Sequence, residues 1–296
     1  GCIDRGMLSH TPIHCTVNPS LYRFECKPVE KAETRKQVAV VGAGPAGCEA
    51  ALTASKRGHQ VTIYEKRCIG GAMIEASKPE NKANIKRLIH YYEDHIMHDP
   101  NITLVKEEVE YETLVHSGYD AVIIAVGGKT RILNVPGIEK NSVIYASDYL
   151  NGSTAVTGNT VVVIGGGITG AETALELNAE GKKVTIVEMT DAFLANFSSA
   201  CQAYLATINE TDIKILTGKR LTAVHENNVI LTDRWGNETT VPADSVVIAA
   251  GFTRQNELSD KLEENTDMQV FNVGDSKRVR QIYDAIHEGF IAARQI

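Results

Sequence analysis

One pattern occurs twice in this chain. The first copy reads VAVVGAGPAG over 38–47, with Gly42, Gly44 and Gly47, and Glu65 stands 23 residues past the first glycine. The second reads VVVIGGGITG over 161–170, with Gly165, Gly167 and Gly170, and Glu188 stands 23 residues past its own first glycine. The copies are 123 residues apart, and the same offset superposes Glu172 on Glu49, Gly181 on Gly58, and the VTI of 184–186 on the VTI of 61–63. A lone GxGxxG is a weak signal. Two in register, each after a Val/Ile run and each followed by an acid at one fixed distance, commit the chain to two βαβ units of one kind.

The physics of one copy explains its residues. A buried parallel strand reads as continuous Val and Ile, here Val38 to Val41. Gly42 makes the tight turn out of it, Gly44 lets backbone approach a pyrophosphate, and Gly47 lets the next helix pack on the strand. Free N–H groups at that helix start, together with the helix dipole, stabilise a diphosphate. The following strand ends at Glu65, a carboxylate placed to accept from a ribose. The pattern therefore predicts two dinucleotide sites, and two dinucleotides in one chain suggest electrons passing between them.

At 296 residues the chain has room for two domains, each with its own core. A net charge of −7 and the lack of a basic stripe argue against nucleic-acid binding. The longest apolar runs, such as Ser245 to Ala250, are strand-sized, so no membrane span is expected. No signal peptide is read, and a cytoplasmic location is expected. The chain opens Gly-Cys, which reads as a fragment of a longer protein. Its six cysteines, Cys2, Cys15, Cys26, Cys48, Cys68 and Cys201, form no CxxC pair, so the redox dithiol of thioredoxin-reductase-like enzymes is absent. Cys48, Cys68 and Cys201 read as inert thiols.

Residues 1–35, with Pro12, Pro19 and Pro28, read as an extended arm. The expected division is an arm over 1–35, a first domain over 36–135 and 266–296, and a second over 136–265. The fold class is α/β, with two Rossmann-like domains, the second inserted into the first. Helical spacing is expected over 80–98, where His90, His95 and His98 read as a solvated face. Strands are expected over 102–109, 121–126 and 270–273, strands and a hairpin over 213–250, and a last helix over 281–294. Ser245 to Ala250 repeats the earlier closing strand and ends at Gly251.

CTVNP at 15–19, VGAGPAGCEAA at 41–51, IGGAMIEAS at 69–77, VVVIGGGITGAETAL at 161–175 and YDAIHEGFIAAR at 283–294 carry a resemblance over nearly the whole chain. The chain resembles the C-terminal halves of old-yellow-enzyme-like NADH:flavin oxidoreductases, a group that includes 2,4-dienoyl-CoA reductase, enoate reductase and trimethylamine dehydrogenase. The resemblance implies FAD in the first domain and NADH in the second. It also implies that Cys2 and Cys15 are the third and fourth ligands of a [4Fe–4S] cluster in the intact parent. Four thiolates are needed and two are present, so no intact cluster is expected in this chain. An FMN-binding barrel belongs to the same parent and would be the partner module. This chain would then be the electron-input half.

By the same resemblance, Gly42, Gly44, Pro45, Ala46 and Gly47 take the FAD pyrophosphate and Glu65 its ribose, with Lys66 and Arg67 near the adenine. Gly70, Gly71, Ala72 and Met73 line the route to the isoalloxazine. Val109 meets adenine through its backbone, and Ala125, Val126 and Gly127 close the site. Asp275, just after Gly274, can accept from a ribityl hydroxyl, and the last helix starts near Gln281 and Ile282 with N–H groups for the flavin edge. Gly165, Gly167, Ile168, Thr169 and Gly170 take the second pyrophosphate. Glu188 accepts the ribose 2′-OH, and Met189, Thr190 and Asp191 offer no arginine to offset it, which favours NADH over NADPH. No side-chain acid–base chemistry is required, and His287 and Glu288 are ordinary helix residues. One alternative stays open. In the amine-dehydrogenase branch the first site holds ADP and no nicotinamide is used, and the 12-residue gap between Cys2 and Cys15 leans that way. A self-contained ferredoxin- or rubredoxin-type reductase is a further alternative.

Overall fold

Both Val/Ile runs form central strands of parallel sheets. The computed structural model describes residues 4, 6, 10–21, 28–79, 82–195 and 198–296. The first unit begins β1 (Gln37–Val41), α1 (Pro45–Arg57), β2 (Gln60–Tyr64), α2 (Met73–Ala76), α3 (Ala83–His98), β3 (Ile102–Val105), α4 (Tyr111–His116) and β4 (Ala121–Ile124). The chain leaves it along β5 (Lys129–Thr130). The second unit holds β6 (Val143–Tyr145), α5 (Ala146–Leu150), β7 (Thr160–Ile164), α6 (Ile168–Ala179), β8 (Lys183–Val187) and α7 (Ser199–Asn209). It continues with β9 (Lys214–Leu216), β10 (Lys219–Val224), β11 (Asn228–Asp233), β12 (Glu238–Pro242) and β13 (Ser245–Ile248). The chain then returns through β14 (Phe252–Thr253), α8 (Glu257–Asn265), β15 (Gln269–Asn272), a 3-10 turn at Gly274–Ser276, and α9 (Ile282–Ala293).

The first sheet has the order β15-β4-β1-β2-β3, all parallel. The second has the order β6-β13-β7-β8-β9, again all parallel. An antiparallel sheet β10-β11-β12 completes the second unit. The 123-residue offset is visible in the strands, since β1 at 37–41 and β2 at 60–64 map onto β7 at 160–164 and β8 at 183–187. Strands buried on both faces need no polar alternation, and Val38, Ala39 and Val40 are wholly enclosed. One apolar layer joins this sheet to α1, α3 and α9 through Ile63, Ala50, Tyr92 and Ala293. The other face carries Val122, Ile124, Leu114 and Leu262.

The second domain is inserted in the first, and the chain passes between the units at 129/130 and 251/252. The sequence expectation put those passages at 135/136 and 265/266. The later boundary moves because α8 belongs to the first unit. Its Leu262 is fully buried in that unit's core beside Leu114, and its Lys261 lies 3.8 Å from Glu112 of α4. The strand expected over 102–109 ends at Val105, and Val109 is a buried core residue in the turn before α4. The 121–126 strand ends at Ile124. Residues 80–81 of the expected helix lie outside the described residues, and its described part is α3. His90, His95 and His98 are exposed on it. Among the described residues, no helix is long and apolar enough to cross a membrane.

Candidate nucleotide sites

The first glycine turn is built by contacts that only glycine permits. Gly42 has φ +100°, and a Cβ there would lie 2.4 Å from the Ala125 carbonyl oxygen. A Cβ on Gly47 would lie 1.9 Å from the Gly42 carbonyl oxygen, so α1 seats directly on the turn. Gly44 differs. A Cβ there meets nothing closer than Gly71 Cα at 4.0 Å. That opening at the N-terminus of α1, where Gly44 is the cap and Pro45 follows, fits a pyrophosphate. The second turn repeats the glycine contacts, with Ile168 in place of the proline. A Cβ on Gly165 would meet the Ala249 carbonyl at 2.3 Å, one on Gly170 would meet the Gly165 carbonyl at 1.9 Å, and one on Gly167 would meet nothing within 4 Å.

The acids also repeat. Glu65 accepts from the Ala43 N–H at 2.7 Å and from the Arg67 N–H at 2.7 Å. Glu188 accepts from the Gly166 N–H at 2.7 Å, and from the N–H and Oγ1 of Thr190 at 2.8 and 2.9 Å. Each carboxylate is thus locked to its own glycine turn, which presets its position beside the helix start. Sequence reasoning read these acids only as ribose acceptors. It also read Thr190 only as a residue that is not arginine.

The closing strands end alike. Ala125 N–H donates to the Val41 carbonyl and Ala249 N–H to the Ile164 carbonyl, each at 2.8 Å. Gly127 and Gly251 follow with positive φ and open space above them. Gly71 has φ +52° and passes within reach of Gly44, so the 70–73 segment borders the first opening. Gly70 N–H donates to the Ala43 carbonyl at 2.8 Å, and Met73 is buried below. Lys66 pairs with Glu108 and Arg67 with Glu75, each at 2.7 Å.

At the other edge of the first turn, Gly274 carries φ +68° and its N–H donates to Glu288 Oε2 at 2.8 Å. Asp275 Oδ1 accepts from the Arg280 N–H at 2.9 Å, and burial raises the Asp275 carboxyl above its ordinary value. Glu288 also binds the Arg280 guanidinium. Glu288 is therefore the clamp of the Asp275 turn, a role the sequence reading did not give it. The N-terminal N–H groups of α9 expected for a flavin edge are partly spent. Gln281 and Asp284 form a capping box, each accepting from the other's backbone N–H.

His287 Nε2–H donates to the Cys15 carbonyl at 2.8 Å, and His14 Nδ1 lies 2.9 Å from the Tyr283 hydroxyl. The arm around Cys15 is thereby held on α9. Cys2 lies outside the described residues. Among the described residues no three His, Cys, Asp or Glu side chains stand close enough to hold a metal ion.

Residues 36–289 match the family described as pyridine nucleotide-disulphide oxidoreductase. An NADH oxidase from Thermoanaerobacter brockii is 35% identical over 304 residues, covering 100% of this chain and 46% of the oxidase. A cinnamate reductase from Clostridium sporogenes is 31% identical, covering 100% of this chain and 44% of the reductase. The solved structure of a 2-naphthoyl-CoA reductase superposes with a TM-score of 0.88 at 29% identity, covering 100% of this chain and 46% of that one. The chain thus spans about half the length of the relatives it matches. The resemblance read from the motifs is borne out, and the chain belongs to the pyridine nucleotide-disulphide oxidoreductase family.

Proposed function

We propose that this chain is the electron-input module of a flavin oxidoreductase, binding FAD in its first unit and NADH in its second. The observation that carries this is the paired opening at Gly44 and Gly167, each at a helix N-terminus and each flanked by a turn-locked carboxylate. When bound, FAD would accept a hydride from the nicotinamide and supply the redox chemistry. The chain's own residues bind and orient. Gly42, Gly44 and Gly47 with the α1 N-terminus would hold one pyrophosphate, and Glu65 its ribose. Asp275, held by Arg280 and raised in pKa by burial, would stand at the ribityl edge. Gly165, Gly167 and Gly170 with Glu188 would hold NADH. A second negative group beside Glu188 is repelled, so NADPH would bind more weakly. A tenfold preference requires only about 1.4 kcal/mol.

A longer cytoplasmic parent with an FMN-binding barrel and a [4Fe–4S] cluster extends this reading. It rests on the resemblance and on the half-length matches. The substrate reduced there would be the business of that barrel. The test is an absorbance spectrum of the chain after FAD is added and free ligand removed, followed by anaerobic NADH. Retained flavin bands that bleach with NADH support the reading. Retention of adenine nucleotide without flavin would replace it with the ADP-binding alternative.

A further inference from the structure

The hairpin of β11 and β12 reaches the loop that follows Glu188. In the turn between β9 and β10, Gly218 N–H donates to the Thr190 carbonyl at 2.8 Å, and Asp191 sits against that turn, since a Cβ on Gly218 would lie 3.3 Å from its Oδ1. The other carboxylate oxygen, Asp191 Oδ2, lies 3.5 Å from Nη1 of Arg234 at the hairpin tip. The Arg234 guanidinium stands 4.2 Å from the centroid of the Trp235 ring. The tip is fixed by Asp233, whose Oδ1 accepts from the N–H groups of Trp235 and Asn237 at 2.9 Å and whose Oδ2 accepts from the Asn237 amide at 3.0 Å. An arginine far away in sequence thus stands by a residue three positions past the ribose acid. Inspection of residues 189–191 alone misses it.

We propose that Asp191 and Arg234 form a specificity pair, in which Asp191 withholds Arg234 from a nucleotide 2′-phosphate. This rests on the reading of the second unit as the nicotinamide nucleotide site. A 2′-phosphate arriving here meets two carboxylates, Glu188 and Asp191. Arg234 is the group whose planar fork suits a phosphate, and Asp191 already engages and neutralises it. The pair is exposed, with side-chain accessibilities of 81% for Asp191 and 65% for Arg234, so either residue can be replaced without loss of packing. Removal of the Asp191 charge deletes one repulsion and frees the guanidinium together. Lys219, the neighbouring cation at the start of β10, keeps its charge and donates to Thr239 Oγ1 at 2.9 Å, so the Arg234→Ala arm of the test is what assigns any gain to Arg234.

The experiment is calorimetric titration of NADH and NADPH, with FAD present at saturation, into wild type, Asp191→Asn and Asp191→Asn/Arg234→Ala. Asp191→Asn should tighten NADPH binding about tenfold while NADH affinity stays within about twofold. The second substitution should abolish the NADPH gain. No gain in Asp191→Asn, or a gain that survives loss of Arg234, overturns the pair. Failure of wild type to bind NADH at all would overturn the nucleotide reading itself, and the specificity pair with it.

Discussion

Gly289 of α9 lies directly on the carbonyl of Ala46 in α1, where a Cβ would come within 2.1 Å of the oxygen. The last helix therefore touches backbone one residue before Gly47 in the glycine motif. Gly289→Ala should cost at least about 2 kcal/mol, because backbone on both sides leaves nothing flexible to yield. It should also weaken FAD binding. Urea unfolding with a parallel FAD titration checks this, and an unchanged midpoint would show that the two helices separate freely.

The glycines of one motif should behave oppositely. Gly44→Val puts a Cβ no closer than 4.0 Å to its nearest neighbour, Gly71 Cα, so the fold should survive within about 1 kcal/mol while FAD binding is lost. Gly47→Ala drives a methyl into the Gly42 carbonyl, so it should destabilise the unit before any ligand is considered. Thermal melts and FAD fluorescence quenching on both variants separate the cases. Undiminished quenching in Gly44→Val would displace the pyrophosphate from this turn.

Glu49 gives the first unit a pH dependence. Burial pushes its carboxyl from an ordinary 4.5 up to about 7, against hydrogen bonds donated by the hydroxyls of Tyr92 and Thr53. The folded state therefore holds this proton more tightly than the unfolded chain. The contribution is full below pH 4.5 and is lost as pH rises through about 7, by about 3 kcal/mol. Glu49→Gln keeps an acceptor for Tyr92 and removes the charge. Its stability between those pH values should be flatter than that of wild type and higher at pH 8. Parallel wild-type and variant curves would locate the titration elsewhere.

The thiols should separate by burial. Cys48 is buried, its Sγ–H donates to the Ala43 carbonyl, and desolvation with nearby Glu65 and Glu49 raises its pKa well above the thiol range. Cys201 is buried as well, whereas Cys68 is exposed. Iodoacetamide should label Cys68 in the native chain and reach Cys48 and Cys201 only after unfolding. Native labelling of Cys48, read by peptide mass mapping, would contradict the packing of α1.

The repeated motif made both parallel sheets and both glycine turns legible, because each glycine and valine in it answers a local backbone demand. Val109 shows where such reading stops. A run of strand-like residues ended early, since Val105 is the last to find a neighbour in β2. Helices α7 and α8 were not foreseen. α8 reads ELSDKLEEN, with five of its nine residues charged, and its place depends on Leu262, with Leu258 beside it, packing against distant β4 and α4. The clamp from Glu288 to Gly274 and the pairing of Asp191 with Arg234 are likewise long-range, and no spacing rule announces them.

The insertion imposes an order on synthesis. The second unit is one unbroken stretch, 130–251, and all its sheet partners have been translated when the ribosome reaches the return passage. The first unit is then still unfinished. Its β15 edge strand and the α9 helix that covers α1 come from residues 269–293, after the inserted unit. Until those emerge, β4 is an open sheet edge and the apolar face of α1 is bare, the kind of surface that aggregates or recruits chaperones. The inserted unit is thus born complete, and the unit whose sequence flanks it closes later, when 269–293 emerge.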